Sequence, residues 1–117
     1  LIEKYFVYCI ILISKIKVMK TFDDLVFKKH KIIGTEGIQS TLEVRPNIHL
    51  SVVAGTGMYS TSKAGVKKAA KSVNEVSTFE AAYKDENLAV KDQEWIVLGW
   101  QTREDITNLI SKLCSEN

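Results

Sequence analysis

Apolar and polar residues alternate or cluster along this chain in a way that predicts a sheet closed by a C-terminal helix. Trp95-Ile96-Val97-Leu98-Gly99-Trp100 is an unbroken apolar run and predicts a buried strand. Thr102-Arg103-Glu104-Asp105 follows as a helix start. Thr102 can accept from the free N–H groups of the first turn, and Glu104 and Asp105 suit the positive end of the dipole. Ile106, Leu109, Ile110 and Leu113 then fall at i, i+3, i+4 and i+7, which is one apolar stripe. The spacing predicts a helix over about 103–114.

Upstream the period changes to two. Gln39 to Val53 predicts a β-hairpin: Ser40, Leu42 and Val44 share one face, and Gln39, Thr41, Glu43 and Arg45 the other. Arg45-Pro46-Asn47 supplies the turn. Ile48, Leu50 and Val52 alternate with His49, Ser51 and Val53 in the return strand. Thr78 to Lys84 resumes alternation, with Phe79, Ala81 and Tyr83 on one face, and Asp85-Glu86-Asn87 reads as a turn. Leu88-Ala89-Val90 reads as a further short strand. Phe22, Leu25, Val26 and Phe27 fit either a helical turn or a short edge strand, Lys28-Lys29-His30-Lys31 a charged step, and Gly34-Thr35-Glu36-Gly37 a turn. Ser60 to Val76 holds lysines and alanines with few large apolar residues, and reads as a long connection with room for a short helix. The expected fold is therefore α+β: an antiparallel sheet of four to six strands packed by one C-terminal helix.

The first eighteen residues read differently from the rest. Tyr5 to Ile13 is a nine-residue apolar run, shorter than the roughly 20 residues of a membrane span. Ser14-Lys15-Ile16-Lys17 follows it without a small-x-small cleavage signal, and Met19-Lys20-Thr21-Phe22 looks like a natural start. Residues 1–18 are expected to be an apolar N-terminal extension, either upstream sequence translated in frame or a genuine extra strand or interfacial segment, and 19–117 a single domain. The charge supports the division. Residues 1–18 carry the whole net charge of +2, while the remaining 99 hold 13 basic and 13 acidic groups. A balanced body argues against a polybasic nucleic-acid binder. Two cysteines, Cys9 and Cys114, make no disulfide framework and point to a reducing compartment.

Candidate chemistry is thin. Tyr59-Ser60-Thr61-Ser62-Lys63 has the Tyr-x-x-x-Lys spacing of short-chain dehydrogenases. That fold needs a parallel sheet with crossover helices and a nucleotide turn far upstream, and neither fits here. His30 and His49 lack Cys, Asp or Glu at metal-ligand spacing. Ser51, Ser60 and Ser62 lack a His–Asp relay. No catalytic residue, metal ligand or cofactor is assigned, and the chain is not expected to be an enzyme. The lysines of 63–71 read as a solvated loop or, more sharply, as a lid over an anion. Phe79 and Tyr83 read as core aromatics or, more sharply, as a stacking platform for a base. Arg103 stands out. It reads as a surface arginine paired with a carboxylate or, more sharply, as a phosphate ligand, since at the first turn of a helix a guanidinium adds a planar donor fork to N–H groups that already favour phosphate. Arg45 is the only other arginine, against 14 lysines.

Met19-Lys20-Thr21-Phe22-Asp23-Asp24-Leu25-Val26-Phe27, Leu50-Ser51-Val52-Val53-Ala54-Gly55, Ser77-Thr78-Phe79-Glu80-Ala81-Ala82-Tyr83 and Leu98-Gly99-Trp100-Gln101-Thr102-Arg103-Glu104-Asp105-Ile106 together resemble a group of small phage and prophage proteins. Within that group they resemble the first-described phage anti-Thoeris sponges. The resemblance implies an oligomeric, non-enzymatic protein of antiparallel sheet and C-terminal helices. Such a protein sequesters the cyclic ADP-ribose isomer made by bacterial TIR-domain defence proteins, in the cytoplasm of the infected cell. It implies an aromatic and an asparagine on the adenine and arginines on the phosphates. Phe79, Asn87 and Arg103 match those types in order, with Arg45 as a further candidate. The expected partners are a small nucleotide signal and further copies of the chain, because Trp95, Trp100, Phe79 and Tyr83 cannot all hide under one helix; nucleic acid and membrane are not expected. The alternative is a phage or prophage interaction module that inhibits a host protein.

Overall fold

The computed structural model describes residues 20–30, 36–66 and 68–115. The expectation for residues 1–18, and the turn residues 34 and 35, lie outside them. The frame is an antiparallel hairpin of β2 (Gly37–Arg45) and β3 (Ile48–Gly55), closed by Pro46 and Asn47. Proline presets one turn position, and Asn47 adopts φ 67, a left-handed value that asparagine tolerates. Two neighbours extend the hairpin: β1 (Lys28–Lys29) pairs with β2, and β6 (Val76–Asp85) pairs with β3. On its other side β6 pairs with β7 (Ile96–Gln101), which forms the far edge of the sheet. A small hairpin of β4 (Thr61–Ser62) and β5 (Gly65–Val66) attaches to the start of β6.

The fold is α+β as expected, with seven strands among the described residues rather than four to six; three of them are two residues long. Those three are too short to leave a period in the sequence. The 60–76 connection holds the β4–β5 hairpin and a 3-10 turn at Val73–Glu75. Leu88-Ala89-Val90 is not a strand; the chain turns there and makes a 3-10 turn at Val90–Asp92. Phe22–Asp24 is a 3-10 turn tied to Thr21.

Among the described residues the α-helix α1 (Arg103–Ser115) lies across the inner face of the sheet. Its stripe of Ile106, Leu109, Ile110 and Leu113 is buried against Ile48, Leu50, Val52, Ala54, Phe79 and Ala81. Each such side chain taken fully from water contributes about 1.5–3 kcal/mol, so this stripe holds the helix in place. Gly37 and Gly55 face each other across β2 and β3. A Cβ on Gly37 would come within 2.6 Å of the Ala54 carbonyl, so the close approach there requires glycine.

Two expectations change. The Trp95–Trp100 run is not buried. Trp95, Ile96, Val97 and Trp100 are each about half exposed (50, 47, 51 and 50%). An apolar run marks a buried strand only if something covers it: Leu98, opposite Ala81, packs against the core, while the rest of this edge strand is left largely uncovered. Arg45 also changes face. A bulge between Glu43 and Arg45 inserts Val44, so Arg45 sits opposite Ile48 rather than continuing the alternation of Glu43. That turns Arg45 from the outer face to the helix side.

Candidate functional site

The four expected ligand residues fall into two pairs. Phe79 and Arg103 meet at the start of α1. Phe79 lies in the middle of the core at 0% exposure. Its ring lies 5.0 Å from that of Phe22 and 5.5 Å from that of Phe27. No face of Phe79 is left for a base, so it is a core aromatic and not a stacking platform. The Arg103 guanidinium carbon stands 5.3 Å from the centroids of both the Phe22 and the Phe79 rings. Its Nη2 donates to the Val73 carbonyl at 2.9 Å. A cation held over two rings is attracted by their negative faces. Arg103 is therefore locked in one orientation, half-buried, beside the 70–73 segment.

Arg45 and Asn87 lie at the opposite end. Arg45 Nε donates to the Leu113 carbonyl at 2.8 Å, where the last carbonyls of α1 need partners. Asn87 Nδ2 donates to the Pro46 carbonyl, and its Oδ1 accepts from Asn47 Nδ2. This asparagine fastens the turn after β6 to the hairpin turn. The ten-residue step from Arg103 to Leu113 along α1 is about 15 Å. The structure does not bring the four residues round one ligand.

The helix start itself is a complete capping box. Asp105 N–H donates to Thr102 Oγ1 at 3.1 Å, and Thr102 N–H donates to Asp105 Oδ2 at 2.9 Å. The hydrogen bond from the Thr102 backbone, with that from its hydroxyl, holds the Asp105 carboxyl below the usual aspartate range. On the outer face, burial pushes the Glu80 carboxyl up.

Sequence reasoning missed two grooves, the first of which borders the 70–73 segment that meets Arg103. One, of about 310 Å³, is lined by Lys29, Glu36, Gly37, Ala70 and Lys71. The other, of about 530 Å³, is lined by Val26, Lys28, Lys29, Gln39 and Thr41. Lys29 stands between them. Ala70 N–H donates to the Glu36 carbonyl at 3.2 Å, which seats the 70–73 segment on the start of β2. The same segment then meets Arg103 at Val73. Lys28 and Lys29 read as a charged step in sequence; only the pairing of β1 with β2 brings Lys29 to the groove that Lys71 also lines.

The remaining candidates have structural work. Ser60 Oγ accepts the Gly55 N–H at 3.0 Å, Ser62 Oγ donates to the Gly65 carbonyl, and Ser51 Oγ accepts from Gln39. His49 Nε2 meets Glu86 Oε1 at 2.9 Å. The Tyr59 carbonyl accepts the Trp100 N–H, and its ring packs on Trp100 at 5.3 Å. Among the described residues no three His, Cys, Asp or Glu side chains group as a metal site, and no helix is long and apolar enough to cross a membrane. Set against known protein families, functionally described proteins and solved structures, the chain matches none.

Proposed function

We propose that the protein is a non-catalytic binder that sequesters a small nucleotide signal of the cyclic ADP-ribose type. On this reading it is a phage-encoded inhibitor of bacterial defence, working in the cytoplasm of the infected cell. The observation that carries the reading is the 310 Å³ groove between Lys29 and Lys71, with Arg103 anchored at the other end of the segment that borders it. Its volume is within the range of small-molecule sites. Two ammonium groups and a pre-oriented guanidinium suit the phosphates of such a ligand. The family resemblance supports the same reading. Phe79 then acts as the shelf that holds Arg103, not as the group that stacks on adenine. Arg45 and Asn87 are left out of the site.

A thermal-shift screen against cyclic nucleotides and cyclic ADP-ribose isomers tests it. A ligand at 100 times its dissociation constant adds about 2.7 kcal/mol to stability. Calorimetry with the best ligand should show affinity falling about tenfold or more when Lys29 and Lys71 are both replaced by alanine. No stabilisation by any of these compounds would end the reading. A second reading, an inhibitor docking on a host protein, has the exposed β7 edge in its favour.

A further inference from the structure

We propose that the β7 bulge on the outer face of the sheet is a guanidinium site, in which the Glu80 carboxylate takes the donor fork and the rings of Tyr59 and Trp100 take the flat face.

One irregularity builds the site. β6 and β7 pair in step from Tyr83 opposite Ile96 to Ala81 opposite Leu98, then resume at Phe79 opposite Gln101. Gly99 and Trp100 together therefore face the single residue Glu80, which is a bulge. Phe79 and Ala81 are buried in the core, so Glu80 between them points to the outer face. Leu98 packs against the core, so the next residue, Gly99, faces outward too. A Cβ on Gly99 would come within 3.0 Å of the Tyr59 Cβ. Tyr59 thus lies over the glycine, on the same face as Glu80. Trp100 takes φ 52, a left-handed value that bulky residues rarely adopt. Its ring packs on Tyr59 with centroids 5.3 Å apart and planes at 56°. Both aromatic side chains stay about half exposed.

This corner lacks a cation. Among the described residues no hydrogen bond or ion pair reaches the Glu80 carboxylate. Lys28 and Lys84 share its face, but the register sets Lys28 three strands across, about 14 Å, and Lys84 four residues along β6, about 13 Å. Burial without a partner is what pushes this carboxyl up. An organic cation answers both halves of the corner, the carboxylate by charge and the rings through their negative faces. A guanidinium answers them better than an ammonium, because it stacks flat on a ring and gives two parallel N–H groups to one carboxylate. The main-chain acceptors beside it are taken: the Tyr59 carbonyl by the Trp100 N–H, and the Gly99 carbonyl by Gln101 Nε2. The same chemistry already works inside the fold, where Arg103 stands over Phe22 and Phe79. Both arginines of the chain are engaged, Arg103 on Val73 and Arg45 on Leu113. The guanidinium therefore comes from a different molecule, either a small guanidino compound or an arginine side chain of another protein.

Titration of the full chain, followed by tryptophan fluorescence, is the test. Trp95 and Trp100 are its two tryptophans, so a Trp95→Phe background leaves Trp100 as the reporter. The probes are N-acetylarginine amide, agmatine and N-acetyllysine amide at constant ionic strength. The expected result is a saturable change with both guanidinium compounds, and binding of the lysine amide weaker by about fivefold or more. Tighter binding of the arginine amide than of agmatine assigns the site to the arginine of a protein; the reverse order assigns it to a free guanidino compound. Glu80→Gln should weaken binding by about tenfold or more. Tyr59→Leu keeps apolar bulk over Gly99 but removes the ring, and should weaken binding by about threefold or more. Circular dichroism and the urea midpoint verify that both variants are folded. Glu94→Gln makes the same charge change at an exposed position before β7 and should bind like the native chain. No saturable change with either guanidinium compound up to about 50 mM would overturn the proposal. So would equal binding of the lysine amide, or a folded Glu80→Gln that binds like the native chain. An equal loss in Glu94→Gln would reduce the effect to net charge and overturn it as well. The groove beside Lys29 lies at the opposite side of the sheet and keeps its nucleotide affinity in all these variants, so the two readings fail separately.

Discussion

Arg103 shows how a residue can be legible in kind and illegible in role. Its place at the start of a helix follows from Thr102, Glu104 and Asp105, and the structure keeps it there. An exposed first-turn arginine would be replaceable by alanine at little cost. The structure instead sets it over two phenyl rings with a hydrogen bond to Val73. None of Phe22, Val73 and Phe79 is near it in sequence, so no local pattern announces the pairing. Arg103→Ala should therefore lower stability by about 2 kcal/mol, from the lost hydrogen bond and the lost ring contacts. Arg103→Lys should recover part of it, because an ammonium keeps the charge over the rings but not the planar fork. Urea unfolding at neutral pH measures both. Equal stability of the native chain and Arg103→Ala would show that the ring contacts contribute nothing. If Arg103 also holds a phosphate, Arg103→Ala weakens the best nucleotide about tenfold or more under conditions where the variant is folded.

At the scale of elements, the helix was the most legible part of the chain because its signals are all local. The cap, the acidic first turn and the 3.6-residue stripe lie within thirteen residues. Thr102→Ala should cost about 1 kcal/mol, the usual value for a lost cap. Its partner gives a pH dependence with a definite sign. Asp105 has its folded value held below the ordinary one, so its contribution is fully present above the unfolded value and is lost as pH falls through the folded value. The stability difference between the native chain and Asp105→Ala should be constant above about pH 5 and shrink below about pH 4. A difference that grows in acid would reverse the sign and refute the capping role. The strands were legible only in part. β2, β3 and β6 carry clean alternation because one face is covered by α1 and the other is not. The bulge at Val44 breaks that alternation by one residue just before the Pro46-Asn47 turn, and no glycine marks it. Everything after it within β2 changes face, which is how Arg45 came to read as an outer-face residue. β7 reads as buried because apolar runs usually are; its exposure depends on where α1 lies, which is a tertiary fact.

The whole molecule separates what the sequence order seemed to unite. Phe79, Asn87 and Arg103 succeed one another along the chain as a ligand set would. The sheet carries Asn87 to the far end of β6, beyond Asp85, while Phe79 stays near its start. The helix then runs from Arg103 back towards Leu113, where Arg45 meets it. The two arginines thus hold opposite ends of α1, one on the rings of the core and the other on the last carbonyls. Arg45→Ala should cost about 1–1.5 kcal/mol through the orphaned Leu113 carbonyl and the lost cation at the negative end of the helix. It should leave nucleotide affinity unchanged. Because the sites share no partner and lie more than 10 Å apart, the losses in Arg45→Ala and Arg103→Ala should add to within about 0.5 kcal/mol in the double variant. A double-mutant cycle read by urea unfolding, with and without the best nucleotide, decides the matter. Additivity in both conditions means that any ligand engages one end of the helix only. Coupling that emerges only with the nucleotide present would mean that the ligand senses both arginines at once, and the groove beside Lys29 would lose its claim to be the whole site.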